Sequence, residues 1–255
     1  MCHELDSEPP IPAIAGAAIA HEDVVLEASD GNRLAAFLAT PQKPSKVGVV
    51  ILPDVRVLYH FYEELALRFA ERGYAALAID YFGRTAGVAK RDDDFPFMEH
   101  TQQTTPAGVQ ADVASAVEYL RSAAGGSREA VFTVGFCFGG RNSWLAAAAG
   151  HGLAGAIGFY GGPGERNGQP GPTELADRID APILALQAGA DAHITAEDND
   201  AFDRALSAAG VEHEVITLEG APHSFFDRLA EEFKPQSDEA WARTLAFIDA
   251  HSTPS

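Results

Sequence analysis

The chain has 255 residues, 46% hydrophobic and 22% charged, with 24 glycines and 15 prolines, a make-up that fits one α/β domain large enough to bury its core without cross-links. A formal net charge of −19 excludes a nucleic-acid partner, which needs clustered Lys and Arg. No apolar run approaches the roughly 20 residues that cross a bilayer, and the acidic start Met1-Cys2-His3-Glu4 has neither the basic nor the apolar region of a secretory signal. The only cysteines are Cys2 and Cys137, a usage that fits a reducing compartment. A cytoplasmic protein is the expectation.

Residues 1–20 are rich in Pro and Ala and are expected to form a surface arm, with 21–255 as a single domain. Two extended pieces, 24–28 and 33–39, flank Asp30-Gly31, a strong hairpin turn. From residue 47 the rhythm changes. Apolar runs of strand length recur at 47–52, 75–79, 130–134, 154–160, 183–187 and 215–218, and read as parallel strands covered on both faces.

Amphipathic segments fall between these runs. Phe61, Leu65 and Phe69 share one helical face before Gly73, and Val109, Val113, Val117 and Leu120 share another before Gly125-Gly126. A further helix is expected over 142–149. Phe202, Leu206 and Ala209 precede Gly210, and Trp241, Leu245 and Ile248 mark a last helix. The expected fold is a doubly wound, mostly parallel sheet with an N-terminal antiparallel hairpin. Two stretches, 85–106 and 161–172, follow strands at the carboxyl end of that sheet, where open α/β proteins place their sites.

The run Gly135-Phe136-Cys137-Phe138-Gly139-Gly140 turns from a strand into a helix. This is the G-x-C-x-G form of a nucleophile elbow. Gly135 and Gly139 leave room on a strained turn, the helix dipole favours a thiolate, and the amide of Phe138 supplies half of an oxyanion hole. The competing readings of Cys137 are a small buried apolar side chain and a dinucleotide cradle, in which a cysteine would stand where the second glycine belongs.

A nucleophile–acid–base order finds Asp191 just past the run at 183–187 and His223 just past the run at 215–218. Asp198 and Asp200 compete for the acid but sit where a helix should begin. His193 competes for the base but shares a loop with Asp191. The remaining histidines lie at the termini, before the elbow, at the end of the helix after it, or at the start of a strand.

With Gly-Phe-Cys-Phe-Gly-Gly at 135–140, Gly-Ala-Asp at 189–191, Pro-His-Ser-Phe-Phe at 222–226, Asp80-Tyr81-Phe82-Gly83-Arg84 and Gly158-Phe159-Tyr160-Gly161-Gly162, the chain resembles the dienelactone hydrolase family from about residue 24 to 251. The resemblance implies an α/β-hydrolase fold and a Cys137–His223–Asp191 triad needing no metal or cofactor. It implies an acid in contact with the nucleophile at Asp54, a second oxyanion amide at Val55, and substrate contacts from Arg84, Tyr160 and Ser224. The chain departs from the family at Asp227, where dienelactone hydrolases place a second carboxylate-binding Arg; Arg228 is one residue further on. The expected activity is hydrolysis of a small-molecule ester or lactone through an acyl-enzyme, by a monomer or homodimer with no nucleic-acid or membrane partner. The alternatives are a thioesterase or other small-molecule hydrolase on the same triad, and a non-catalytic ligand-binding protein with the same pocket.

Overall fold

A computed structural model describes residues 7–92, 94–227 and 229–252; Cys2, His3, Asp93 and Arg228 lie outside them. Among the described residues, eight strands form one sheet in the order β1-β2-β4-β3-β5-β6-β7-β8. They are β1 (Ile19–Glu27), β2 (Arg33–Pro41), β3 (Val47–Leu52), β4 (Ala75–Ile79), β5 (Ala130–Phe136), β6 (Gly155–Phe159), β7 (Ile183–Ala188) and β8 (His213–Leu218). The first two pair antiparallel around a turn in which Gly31, at φ 83°, donates to the Ala28 carbonyl. β2 also runs antiparallel to β4, and every later pairing is parallel.

Strands β3 to β7 are buried along their whole length, because helices cover both faces. Alternation within a strand divides the core. Val49 and Ile51 of β3 face Phe61, Leu65 and Phe69 of α1 (His60–Glu71) and Trp241, Phe247 and Ile248 of α7 (Lys234–His251). Val50 and Leu52 face the other layer, built from α4 (Pro106–Arg121), α5 (Phe138–Ala147) and α6 (Ala196–Ala209). Two short helices, α2 (Gly83–Ala86) and α3 (Phe97–Thr101), lie in the long stretch before α4. No helix among the described residues is long and apolar enough to cross a membrane.

Boundaries differ from the sequence expectation in physically informative places. β1 begins at Ile19, so only the part of the arm before it is irregular; there Ile11 is buried and the amide of Ile14 donates to Glu71. β8 is an outer strand with partly exposed residues rather than one covered on both faces. α5 starts at Phe138, immediately after the cysteine, instead of at 142. α7 starts at Lys234, with Pro235 in its first turn, where a missing N–H costs nothing.

Candidate active site

The turn at the end of β5 owes its shape to absent side chains. Cys137 sits at φ 54°, ψ −110°, a backbone region costly for any residue but glycine. A Cβ on Gly135 would lie 2.0 Å from the Gly139 carbonyl oxygen, and one on Gly139 would lie 1.9 Å from the carbonyl oxygen of Leu52. The second near-contact brings the elbow against the end of β3, and so next to Pro53-Asp54-Val55. The amide of Cys137 donates to the Phe159 carbonyl at 3.0 Å, and its own carbonyl accepts from Arg141 at 3.2 Å, so the turn is held from β6 as well as from its own helix.

Asp191 and His223 meet. The carboxylate oxygen Oδ2 lies 2.6 Å from His223 Nδ1, and Oδ1 accepts from the amides of His193 at 2.8 Å and Ile194 at 3.2 Å. Burial works to raise the Asp191 pKa, but the hydrogen bonds from His223 and these two amides outweigh it and hold the acid below its ordinary value. His193 therefore serves the acid through its backbone. Asp198 closes a capping box with Thr195 at the start of α6.

His223 is carried to the elbow by aromatic packing. Phe226, three residues on, stacks on Phe136 at 5.8 Å and lies 4.8 Å from Phe159, while the Tyr160 ring lies 4.9 Å from the imidazole. Among the described residues the Cys137 thiol itself makes no hydrogen bond. Asp54 is fully buried; its Oδ1 accepts from the amide of Arg56 at 2.7 Å and its amide donates to the Tyr62 hydroxyl at 3.0 Å. The N–H groups of Val55 and Phe138 donate no hydrogen bond to another described residue.

Six non-glycine residues among those described have positive φ, and four of them (Val57, Cys137, Tyr160 and Ser224) belong to the segments that converge here. Strain held in this way by surrounding structure is typical of functional sites. Tyr160 is buried and donates to Asp227 at 3.4 Å. Position 227 thus presents an acceptor, which gives nothing to an anionic substrate. Arg84 is committed elsewhere: its guanidinium bonds Asp112 at 2.8 Å, the Gly108 carbonyl at 3.1 Å, and Asp30 of the hairpin turn. A substrate carboxylate would have to displace one of these acids.

The two long loops are packed walls. In 85–106, Thr101 Oγ1 donates to the Val55 carbonyl at 3.3 Å, the Tyr59 hydroxyl donates to the Asp92 carbonyl at 2.9 Å, and Arg91 makes a buried ion pair with Asp80 at 2.9 Å. The stretch 161–172 is gathered by Arg141, one turn past Cys137, whose guanidinium donates to the carbonyls of Gly162 at 2.9 Å and Pro170 at 3.1 Å, and to Gly164. Sequence reasoning missed Tyr81, a buried phenol at the end of β4 that donates to the Pro53 carbonyl at 3.0 Å. The only signal for it was a hydroxyl-bearing aromatic at a strand end beside β3. Burial, and after it the charges of Asp54, Asp80 and Cys137, push its pKa well above the ordinary tyrosine value, so it remains a donor.

Among the described residues no group of acids, histidines and cysteine could hold a metal ion. What the arrangement offers is a thiol on a strained turn, an acid–imidazole pair at the same carboxyl end of the sheet, and two uncommitted amides.

Asp191→Asn is expected to loosen His223, since an amide cannot hold the imidazole in the tautomer and orientation a carboxylate imposes. The same pair has a signature in stability. Because the folded-state pKa of Asp191 is depressed, its contribution is present above the ordinary carboxylate range and is lost as pH falls through the folded value. Urea unfolding of the parent and Asp191→Asn between pH 7 and pH 3 would show the two curves converging at low pH; a gap that stays constant would rule out a stabilising Asp191 carboxylate.

The family model for the dienelactone hydrolase family matches residues 34–252. A carboxymethylenebutenolidase of Rhodococcus opacus is 29% identical, over 99% of this chain and 98% of that protein. A putative carboxymethylenebutenolidase of Escherichia coli (strain K12) is 28% identical, over 86% of this chain and 83% of its own length. The crystal structure of a putative dienelactone hydrolase from Klebsiella pneumoniae superposes with a TM-score of 0.79 at 25% identity, covering 91% of this chain and 99% of the other.

Proposed function

The chain belongs to the dienelactone hydrolase family and is a hydrolase of that type; from this premise we propose that it cleaves an ester or lactone through a Cys137–His223–Asp191 triad and a covalent acyl-enzyme. The observation that carries the reading is Cys137 at φ 54° on the strand-to-helix turn, at the carboxyl end of the sheet where Asp191 orients His223.

The steps follow from the groups present. His223 takes the thiol proton, and Cys137 Sγ attacks the carbonyl carbon. The carbonyl oxygen, now negative, is held by the amides of Val55 and Phe138. Collapse expels the alkoxide, which His223 protonates, leaving a thioester. His223 then removes a proton from water, which attacks the thioester, and the thiol is restored. Asp191, kept ionised by its three hydrogen bonds, stabilises the imidazolium formed in each half. A thioester is a better intermediate for activated substrates such as lactones and enol esters than for amides. The acidic character of Asp227 and the ion-paired state of Arg84 favour a substrate recognised by its acyl shape over one gripped by a carboxylate.

The intermediate is directly observable. Acid quenching of the parent protein during turnover of a chromogenic ester is expected to trap protein heavier by one acyl group, mapped by peptide mass spectrometry to Cys137. Acylation at any other residue, or none during continuing turnover, overturns the assignment.

A further inference from the structure

We infer that Tyr81 is the positioning residue of the oxyanion hole, bracing both of its halves at once; this rests on the acyl-transfer reading above. Tyr81 stands just past the end of β4 (Ala75–Ile79), the strand next to β3, and its side chain is buried. Its hydroxyl donates to the Pro53 carbonyl at 3.0 Å. Pro53 is two residues before Val55, and between them Asp54 is tied at its amide to the Tyr62 hydroxyl and at Oδ1 to the Arg56 amide. The direction of the Val55 N–H is therefore fixed by peptide planes with little freedom left, and the Tyr81 hydroxyl is the bond that anchors their start.

The other half of the hole is held by the same ring. Tyr81 meets Phe138 edge to face, with centroids 5.4 Å apart, and the Phe138 amide is the second donor. The gap between the halves is already set by contact, because Gly139 abuts the carbonyls of Leu52 and Pro53. Pro53 carries the carbonyl that Tyr81 holds. One phenol thus spans the two chain segments whose amides must point at a single oxygen. A hole of this type works through donors held in place before charge develops, and loss of one donor costs about 10²- to 10³-fold in kcat. A brace that lets a donor drift costs a part of that.

Tyr81→Phe keeps the ring and its contact with Phe138 and removes only the bond to Pro53. Its kcat on a chromogenic ester is expected to fall about 10-fold with KM unchanged, the pattern of an interaction made in the transition state alone. A trifluoromethyl ketone of the same acyl shape adds Cys137 Sγ to its carbonyl carbon and leaves an oxyanion in the hole. Its inhibition constant is expected to rise by the same factor. Alkylation by iodoacetamide, in which sulfur displaces iodide and no oxyanion forms, is expected to keep its rate. Phe138→Leu, which retains the backbone donor and loses the ring contact, tests the other arm with the same three readings.

Unchanged kcat in both variants overturns the inference. So does a fall in kcat matched by slower alkylation with unaltered ketone affinity, since that places the effect on the sulfur. Cys137→Ala run alongside separates the two levels: if it retains turnover, the acyl-transfer reading itself has failed, whatever Tyr81→Phe does.

Discussion

Cys137→Ala is expected to cut hydrolysis of a chromogenic ester by on the order of 10⁴-fold or more, to the background that the remaining groups sustain, while the protein stays folded. The size follows from what is removed. Without the sulfur no thioester forms, and an intact His223–Asp191 pair with two free amides can only assist water. The stability of the site should move the opposite way once the strain is released. At φ 54°, ψ −110° alanine keeps the conformational cost that cysteine bears, whereas glycine adopts this region freely. Cys137→Gly is therefore expected to be equally inactive yet about 1 kcal/mol more stable than Cys137→Ala, a rise of about 2–4 °C in melting temperature for a domain of this size. Residual activity of Cys137→Ala near the parent's would remove the nucleophile assignment; equal melting temperatures for the Ala and Gly variants would remove the strain.

The second large effect is on folding. A methyl group at Gly139 would sit 1.9 Å from the Leu52 carbonyl oxygen and 2.4 Å from that of Pro53. Neither can retreat cheaply, because both are backbone atoms at the end of a fully buried strand. Gly139→Ala is expected to destabilise the protein by about 3 kcal/mol or more, read as a lower urea midpoint at constant slope, and to lose activity as the Val55 amide moves away from that of Phe138. Gly164→Ala provides the contrast: nothing lies within 4 Å of its added carbon, and its unfolding midpoint should stay close to the parent's or rise slightly. If the two substitutions cost the same, the close approach at the elbow is not what fixes that turn.

How much of this was legible in the residues alone depended on what each residue was for. Strands β3 to β7 stood out because both of their faces are buried, so their residues are almost uniformly apolar. The first five residues of β1 escaped because that part of an edge strand is mostly exposed, with no core face to impose alternation, and Ile19-Ala20-His21-Glu22-Asp23 carry no pattern. The start of α5 was placed too late for a more instructive reason. Gly139 and Gly140 resemble a turn, but they are glycines so that a helix can press against Leu52, Pro53 and Phe159. Helices α2 and α3 have four and five residues, too few for a 3.6-residue period to show.

In the site, Asp191 and His223 could be placed because topology names the loops after β7 and β8 before any residue is read. Tyr81 could not. Its bond is to a backbone carbonyl, which any residue at position 53 would present, so no motif carries the pairing. Arg84 illustrates the reverse: a motif position can be filled while its donors are spent on Asp30 and Asp112.

The clamp formed by Arg141 bears on how readily this enzyme could be diversified. Its guanidinium binds the wall at 161–172 only through carbonyl oxygens, those of Gly162, Gly164, Gln169 and Pro170, and residues 165–170 are all exposed. The shape of that wall is consequently dictated from the helix behind the cysteine and owes little to its own side chains. Substitutions in this exposed stretch that keep Asn167 and Gly168, whose positive φ shapes the turn, could vary its surface without unsettling its anchoring, which makes it a natural place to begin diversifying the enzyme.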